Sequence, residues 1–193
     1  MKAIFLDFDG VITLPPKWTL NLDKIKLIKK IVDETDAKII ISSSWRANTI
    51  ENTVEKNFNT RIPHDDIIVW FIKNLYDVTP YVCDINYVGQ GRGGEIQTYL
   101  LNHPEVENYV IIDDDSDMLD EQLYHFVQTN FEDGITEIEA NRAIKILNKK
   151  YIQNLIALNF VLRYEYRKHC EGLPNKWDEI IKYNDTCRDY NNR

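Results

Sequence analysis

The sequence has little that would staple the chain, anchor it in a bilayer or hold a soft metal. Its three cysteines, Cys83, Cys170 and Cys187, are widely spaced and odd in number. That pattern argues against a disulfide framework and fits free thiols in a reducing, cytoplasmic setting. The four histidines stand apart from the cysteines without zinc-ligand spacing. No apolar run approaches the roughly 18 residues of a membrane span. The first residues enter a strand pattern rather than a secretory leader, so no membrane association is expected. Internal repeats and low-complexity segments are absent. Positive charge is scarce over most of the chain: residues 1–144 carry 13 Lys+Arg against 25 Asp+Glu. Such an acidic body disfavours sequence-independent binding to a polyanion. Residues 145–193 reverse the balance, with 10 Lys+Arg against 6 Asp+Glu. That basic tail either docks on the acidic body, stays solvated, or touches a phosphate backbone.

What is present is an alternation of strand and helix patterns. Residues 2–7 read as a buried strand, and 37–42 and 108–112 as two more. Helical spacing over 21–34 places Leu22, Ile25, Leu27, Ile28, Ile31 and Val32 on one face, with Asn21 or Asp23 as cap. Residues 47–58 and 94–102 read as helices, 124–128 as a short strand. A further amphipathic helix at 136–148 carries Ile138, Ala140, Ala143, Ile144 and Leu147 on its apolar positions. Residues 59–91 mix short apolar runs, such as Ile67–Val69 and Tyr81–Cys83, with turn residues and have room for a third sheet strand. Helical stretches at 151–169 and 175–187 follow. This order predicts an α/β, three-layer Rossmann-like parallel sheet over residues 1–148, with a helical C-terminal extension over 149–193.

Three of the strands end in polar clusters: Asp7 and Asp9, then Ser42-Ser43-Ser44, then Asp113-Asp114-Asp115 with Asp117. In a parallel sheet these ends share one rim, where such folds bind ligands. A buried strand that ends in carboxylates needs a cation or a proton to offset their charge. Asp7 and Asp9, two residues apart, would face one site, with Gly10 turning the chain away. Carboxylates from two strands form a hard-oxygen site suited to Mg²⁺. A calcium-binding EF-hand does not fit. Its sixth and twelfth positions would be Ile12 and Trp18 counted from Asp7, or Met118 and Tyr124 counted from Asp113. Hydroxyls with neighbouring backbone N–H groups can hold a phosphate. The cation to balance it is Arg92, at the start of the helix pattern. Trp45-Arg46 either meets substrate, by stacking on a base and contacting a phosphate, or packs on the following helix. Asp115 and Asp117 fit a solvated turn or a helix cap, and the glycines at 89–94 a flexible approach to Arg92.

At these residues the chain resembles the haloacid dehalogenase (HAD) superfamily of phosphotransferases. Leu-Asp-Phe-Asp-Gly-Val at 6–11, Ile-Ile-Ile-Ser-Ser-Ser at 39–44, Arg92, and Ile-Ile-Asp-Asp at 111–114 follow that superfamily's four signatures in order. Ser-Ser-Trp-Arg at 43–46, Arg-Gly-Gly-Glu-Ile at 92–96 and Val-Ile-Ile-Asp-Asp-Asp at 110–115 are similar to HAD domains associated with RNA-repair proteins. The resemblance implies a Mg²⁺-dependent phosphatase with Asp7 as nucleophile and Asp9 as proton donor and acceptor. It further implies Ser43 or Ser42 and Arg92 on the phosphate. Asp7, the Asp9 carbonyl, Asp114 and, through water, Asp113 would hold the metal. The connections after Gly10 and before Arg92 are too short for a full cap domain. An uncapped site would admit nucleic-acid end phosphates or nucleotides. The alternatives are a small-metabolite phosphatase and a non-catalytic binding module of the same fold.

Overall fold

The computed structural model describes residues 1–58, 65–81 and 91–149. The expected extension at 149–193, and with it the helices at 151–169 and 175–187, falls outside them apart from Lys149. So do residues 59–64 and 82–90 of the stretch before Arg92.

Five strands form one parallel sheet in the order β5-β4-β1-β6-β7. They are β1 (Lys2–Leu6), β4 (Lys38–Ile41), β5 (Leu75–Val78), β6 (Asn108–Asp113) and β7 (Phe126–Gln128). Two-residue strands β2 (Thr13–Leu14) and β3 (Thr19–Leu20) pair as a separate antiparallel hairpin. The helices are α1 (Leu22–Thr35), α2 (Ile50–Phe58), α3 (Asp66–Asn74), α4 (Arg92–Asn102) and α5 (Glu137–Asn148). A 3-10 helix, Asp120–His125, leads into β7.

Strand alternation divides the core into two layers. Ile4 and Leu6 of β1 join Ile39, Ile41, Val110 and Ile112 beneath α1, α3 and α5. Ala3 and Phe5 of the same strand point the other way, with Ile40 and Ile111, against Ile96 and Tyr99 of α4. The three-layer expectation therefore holds. Strand order reverses at β1, so the ends of β1, β4 and β6 enclose the crevice in which such sheets bind ligands.

Several boundaries differ from the sequence reading, each for a local reason. Asn21 is the cap of α1, its Oδ1 accepting from Asp23 N at 3.0 Å and Lys24 N at 3.3 Å. Leu22 is exposed rather than part of the apolar face, because it occupies the first helical position. Ile138 is likewise exposed, one residue past the start of α5. The run at Ile67–Val69 belongs to α3. Its β-branched and aromatic residues obscure a helix whose cap is Asp65, accepting from Ile67 N at 2.9 Å. The strand expected in that stretch is β5. Helix α2 begins at Ile50 rather than at residue 47, because Thr49 caps it, its Oγ1 accepting from Asn52 N at 3.2 Å.

Candidate active site

Asp7 extends β1 by one peptide, donating its N–H to the Ile112 carbonyl of β6 at 3.0 Å. The Phe8 carbonyl then collects three N–H groups, from Val11, Ile12 and Thr13, at 3.1, 2.9 and 2.8 Å. This tight turn needs Gly10 for two reasons. Its φ is +67°, and a Cβ there would lie 2.6 Å from Asp114 Cγ. The glycine is thus what brings the first strand's loop against the acids that follow β6.

Asp7, Asp113 and Asp114 offer carboxylate oxygens all within 4.8 Å of one another. Asp7 and Asp113 are buried, and Asp114 is half-buried. Burial pushes the Asp7 carboxyl up to about 6 against the pull of Arg92 and a hydrogen bond from Ser43. Burial, with the charge of Asp7, pushes Asp113 up to about 7. Asp114 is also raised, first by burial and then by Asp115 and Asp9. Like charges gathered out of water are costly, so all three carboxyls are raised above the ordinary range.

One guanidinium partly offsets them. Arg92 Nη2 lies 3.4 Å from Asp7 Oδ1, and Nη1 lies 3.3 Å from Glu95 Oε2. Its Nε is 3.3 Å from Asp113 Oδ2, yet the pair is not aligned for a hydrogen bond, and both buried atoms lack a partner among the described residues. An orphaned carboxylate oxygen in a cluster of hard oxygen donors is what a divalent-cation site requires, so these residues fit one. Arg92 is fixed from outside its own helix. Asp117 Oδ2 accepts from Arg92 N at 2.8 Å, which makes Asp117 the cap of α4 rather than a ligand. Gly93 sits so close to the following loop that a Cβ would meet Leu119 N at 2.6 Å.

The Asp9 carboxylate stands outside the three-acid cluster but close enough for its charge to raise Asp114. Thr13 Oγ1 donates to its Oδ1 at 2.6 Å, and the Trp45 indole Nε1 donates to its Oδ2 at 3.0 Å. Both carboxylate oxygens of Asp9 thus have a partner within the protein. Trp45 neither stands free to stack on a base nor packs only on the next helix. It lies against Phe8, ring centroids 5.6 Å apart, and reaches Asp9.

For Arg46 the structure favours packing over the substrate contact. The side chain is buried, not aimed at substrate. Its guanidinium donates to the carbonyls of Thr79 (3.0 Å), Ser42 (3.1 Å), Ser43 (2.7 Å) and Pro80 (3.4 Å), and pairs with Glu95 Oε1 at 2.6 Å. The Tyr81 ring covers it, with Cζ 3.9 Å from the ring centroid. The serines also separate. Ser43 reaches Asp7, whereas Ser42 Oγ is sealed in the core with no partner among the described residues. Glu95 and Thr13 were not singled out in the sequence. Glu95 stands three residues after Arg92 on a helix, the spacing of a charge pair, and that was the available signal. Thr13 had none.

A family model described as the HAD domain in Swiss Army Knife RNA repair proteins matches residues 3–140. No curated protein and no solved structure gives a significant match.

Proposed function

The chain belongs to the family of HAD domains in Swiss Army Knife RNA repair proteins, and from that premise we propose that it is a Mg²⁺-dependent phosphatase acting on nucleic-acid end phosphates or nucleotides. The observation that carries this reading is the convergence of three carboxylates within 4.8 Å on a strand-end rim, with Arg92 against Asp7.

Asp7 is the nucleophile. Its carboxylate oxygen bonds to phosphorus as the ester P–O bond breaks, and the leaving oxygen takes a proton from Asp9. Water then attacks the aspartyl-phosphate and gives its proton to Asp9, releasing phosphate and restoring Asp7. The contacts of Asp9 suit that exchange. The Thr13 hydroxyl can donate to the ionised carboxylate or accept from the protonated one, while the Trp45 indole only donates and so holds the carboxyl plane. Ser43 and Arg92 bind the transferring phosphoryl oxygens. Asp7, Asp113 and Asp114, with the Asp9 carbonyl, would hold the cation. When bound, it offsets the repulsion between an anionic nucleophile and an anionic phosphate. The hard-oxygen donor set supports Mg²⁺ as that cation.

Three features support the substrate class. The family description ties the domain to RNA repair. Between Gly10 and β4 the chain holds only the β2–β3 hairpin and α1, which leaves no room there for a capping domain. The acidic body favours reading a phosphate terminus over tracking a backbone.

The test is phosphate release from a generic aryl phosphate with Mg²⁺, with EDTA, and with Asp7→Asn. We expect release that both EDTA and the substitution abolish. Activity that survives Asp7→Asn would remove the nucleophile assignment, and no turnover of any phosphoester would favour a binding module. Oligonucleotides phosphorylated at the 3′ or 5′ end, compared with mononucleotides and sugar phosphates, then decide the substrate. A preference for sugar phosphates would end the nucleic-acid reading while leaving the phosphatase intact.

A further inference from the structure

The two phosphate-binding residues of that reading, Ser43 and Arg92, stand on different elements, and a buried ion pair ties those elements together. Arg46 has its guanidinium nitrogens occupied within the protein. Two of its acceptors, the carbonyls of Ser42 and Ser43, follow β4; two more, those of Thr79 and Pro80, follow β5. Its charge partner, Glu95, stands on α4. Glu95 divides its carboxylate, with Oε1 2.6 Å from Arg46 Nη2 and Oε2 3.3 Å from Arg92 Nη1. A planar guanidinium held at so many points is a rigid reference. Whatever it fixes in Glu95 is passed to Arg92.

We propose that the Arg46–Glu95 pair is a positioning strut, setting the distance between the Ser43 hydroxyl and the Arg92 guanidinium so that both meet one phosphoryl group. Arg92 faces two attractions. Asp7 and Asp113 draw it towards the nucleophile, and Glu95 draws it back along α4. With Glu95 neutralised, the guanidinium is free to close on Asp7 and Asp113, which removes it from the phosphate and masks the nucleophile. Glu95 therefore touches no substrate, and its effect passes entirely through Arg92. Tyr81 completes the strut. Its ring lies over the Arg46 guanidinium, and its hydroxyl donates to the Arg46 carbonyl at 2.9 Å.

The inference rests on the phosphatase reading for its chemistry, and the experiment separates the two. Glu95→Gln keeps the size of the side chain and removes its charge. Aryl-phosphate turnover and the affinity for inorganic phosphate are measured for wild type, Glu95→Gln, Arg92→Ala and the double variant, with melting temperature followed throughout. We expect Glu95→Gln to lower kcat/KM and phosphate affinity by about tenfold to a hundredfold, as loss of an orienting partner commonly does. In the Arg92→Ala background the same substitution should change neither quantity, because the residue it positions is gone. A merely structural Glu95 would lower the melting temperature and cost the same factor in both backgrounds, and that additivity would overturn the strut. Where Glu95→Gln does not fold, Glu95→Asp takes its place. Its shortened reach should reproduce the loss, and full activity would refute the proposal. A wild-type protein that turns over no phosphoester but binds phosphate, with Glu95 coupled to Arg92, would sink the phosphatase reading alone. Absence of phosphate binding in the wild type would sink the strut as well.

Discussion

Ser42 and Ser43 share a peptide bond and meet different environments. Ser43 lies close enough to Asp7 to lower its carboxyl, and the Ser42 hydroxyl is buried with no partner among the described residues. Ser43→Ala should therefore cut phosphate release by about tenfold or more, as loss of one charge-assisted hydrogen bond to the phosphoryl group does. Ser42→Ala removes an unsatisfied hydroxyl. It should leave activity unchanged and hold or raise the melting temperature by about 2 °C, the equivalent of roughly 1 kcal/mol in a chain of this size. Thermal melts and initial rates on the two variants check both. Trp45 belongs to the same scale. Trp45→Phe keeps the ring against Phe8 but deletes the N–H that holds Asp9, so it should reduce kcat more than it raises KM. Equal kcat in the variant and wild type would detach Trp45 from the proton exchange. That a Ser-Ser-Trp-Arg run follows the second strand is visible in the sequence. Which hydroxyl, indole edge or guanidinium turns inward is not, because side-chain direction past a strand end depends on the loop's path rather than on strand alternation.

At the scale of elements, helix termini do the placing. Helix α5 begins at Thr136, whose side chain accepts from Ile138 N at 3.2 Å, while Glu139 accepts from the Thr136 main-chain N–H at 3.0 Å. The apolar spacing at 136–148 predicts this helix, and the capping box fixes its start. Thr136→Ala should cost about 1 kcal/mol of stability and leave turnover unchanged, since α5 packs on the sheet face away from α4. A large loss of turnover with an unshifted melt would contradict that division. Helix α4 is the opposite case. Its start at Arg92 lacks a side-chain cap from Gly91 and takes one from Asp117, 25 residues later. Local sequence cannot supply such a partner, so the helix starts two residues before the 94–102 pattern predicts. Helix α3 was missed because its Ile, Val, Trp and Phe content has strand character. The interior position of Ile68 and Phe71 beneath the sheet, rather than propensity, makes it a helix.

Across the whole molecule, the gathered acids make stability depend on pH in an unusual direction. Asp7 and Asp113 titrate near 6 and 7, above their ordinary 3.8, so between about pH 4 and 7 the folded state binds more protons than the unfolded one. Stability of the metal-free protein should therefore fall as pH rises through that window. His125, lowered by burial, works the other way below its usual 6.5. Asp113→Asn isolates the acid contribution. The metal-free variant should lose much of the slope and be more stable than wild type at pH 7.5, and Mg²⁺ should stabilise wild type more than the variant at that pH. Denaturant titrations at pH 5 and 7.5, with and without Mg²⁺, read all three. A wild-type slope that the substitution leaves intact would show that the acids are not the source. The sequence by itself determined the parallel α/β plan, the strand ends that carry Asp7, Ser43 and Asp114, and the family, because strand period and motif spacing are local properties of the chain. Tertiary structure alone decided that Asp9 faces Thr13 and Trp45, that Arg46 is buried and that Glu95 stands between two arginines. Each of those outcomes depends on which strand ends become neighbours when β1 takes the centre of the sheet, and that order is set by packing between residues tens of positions apart.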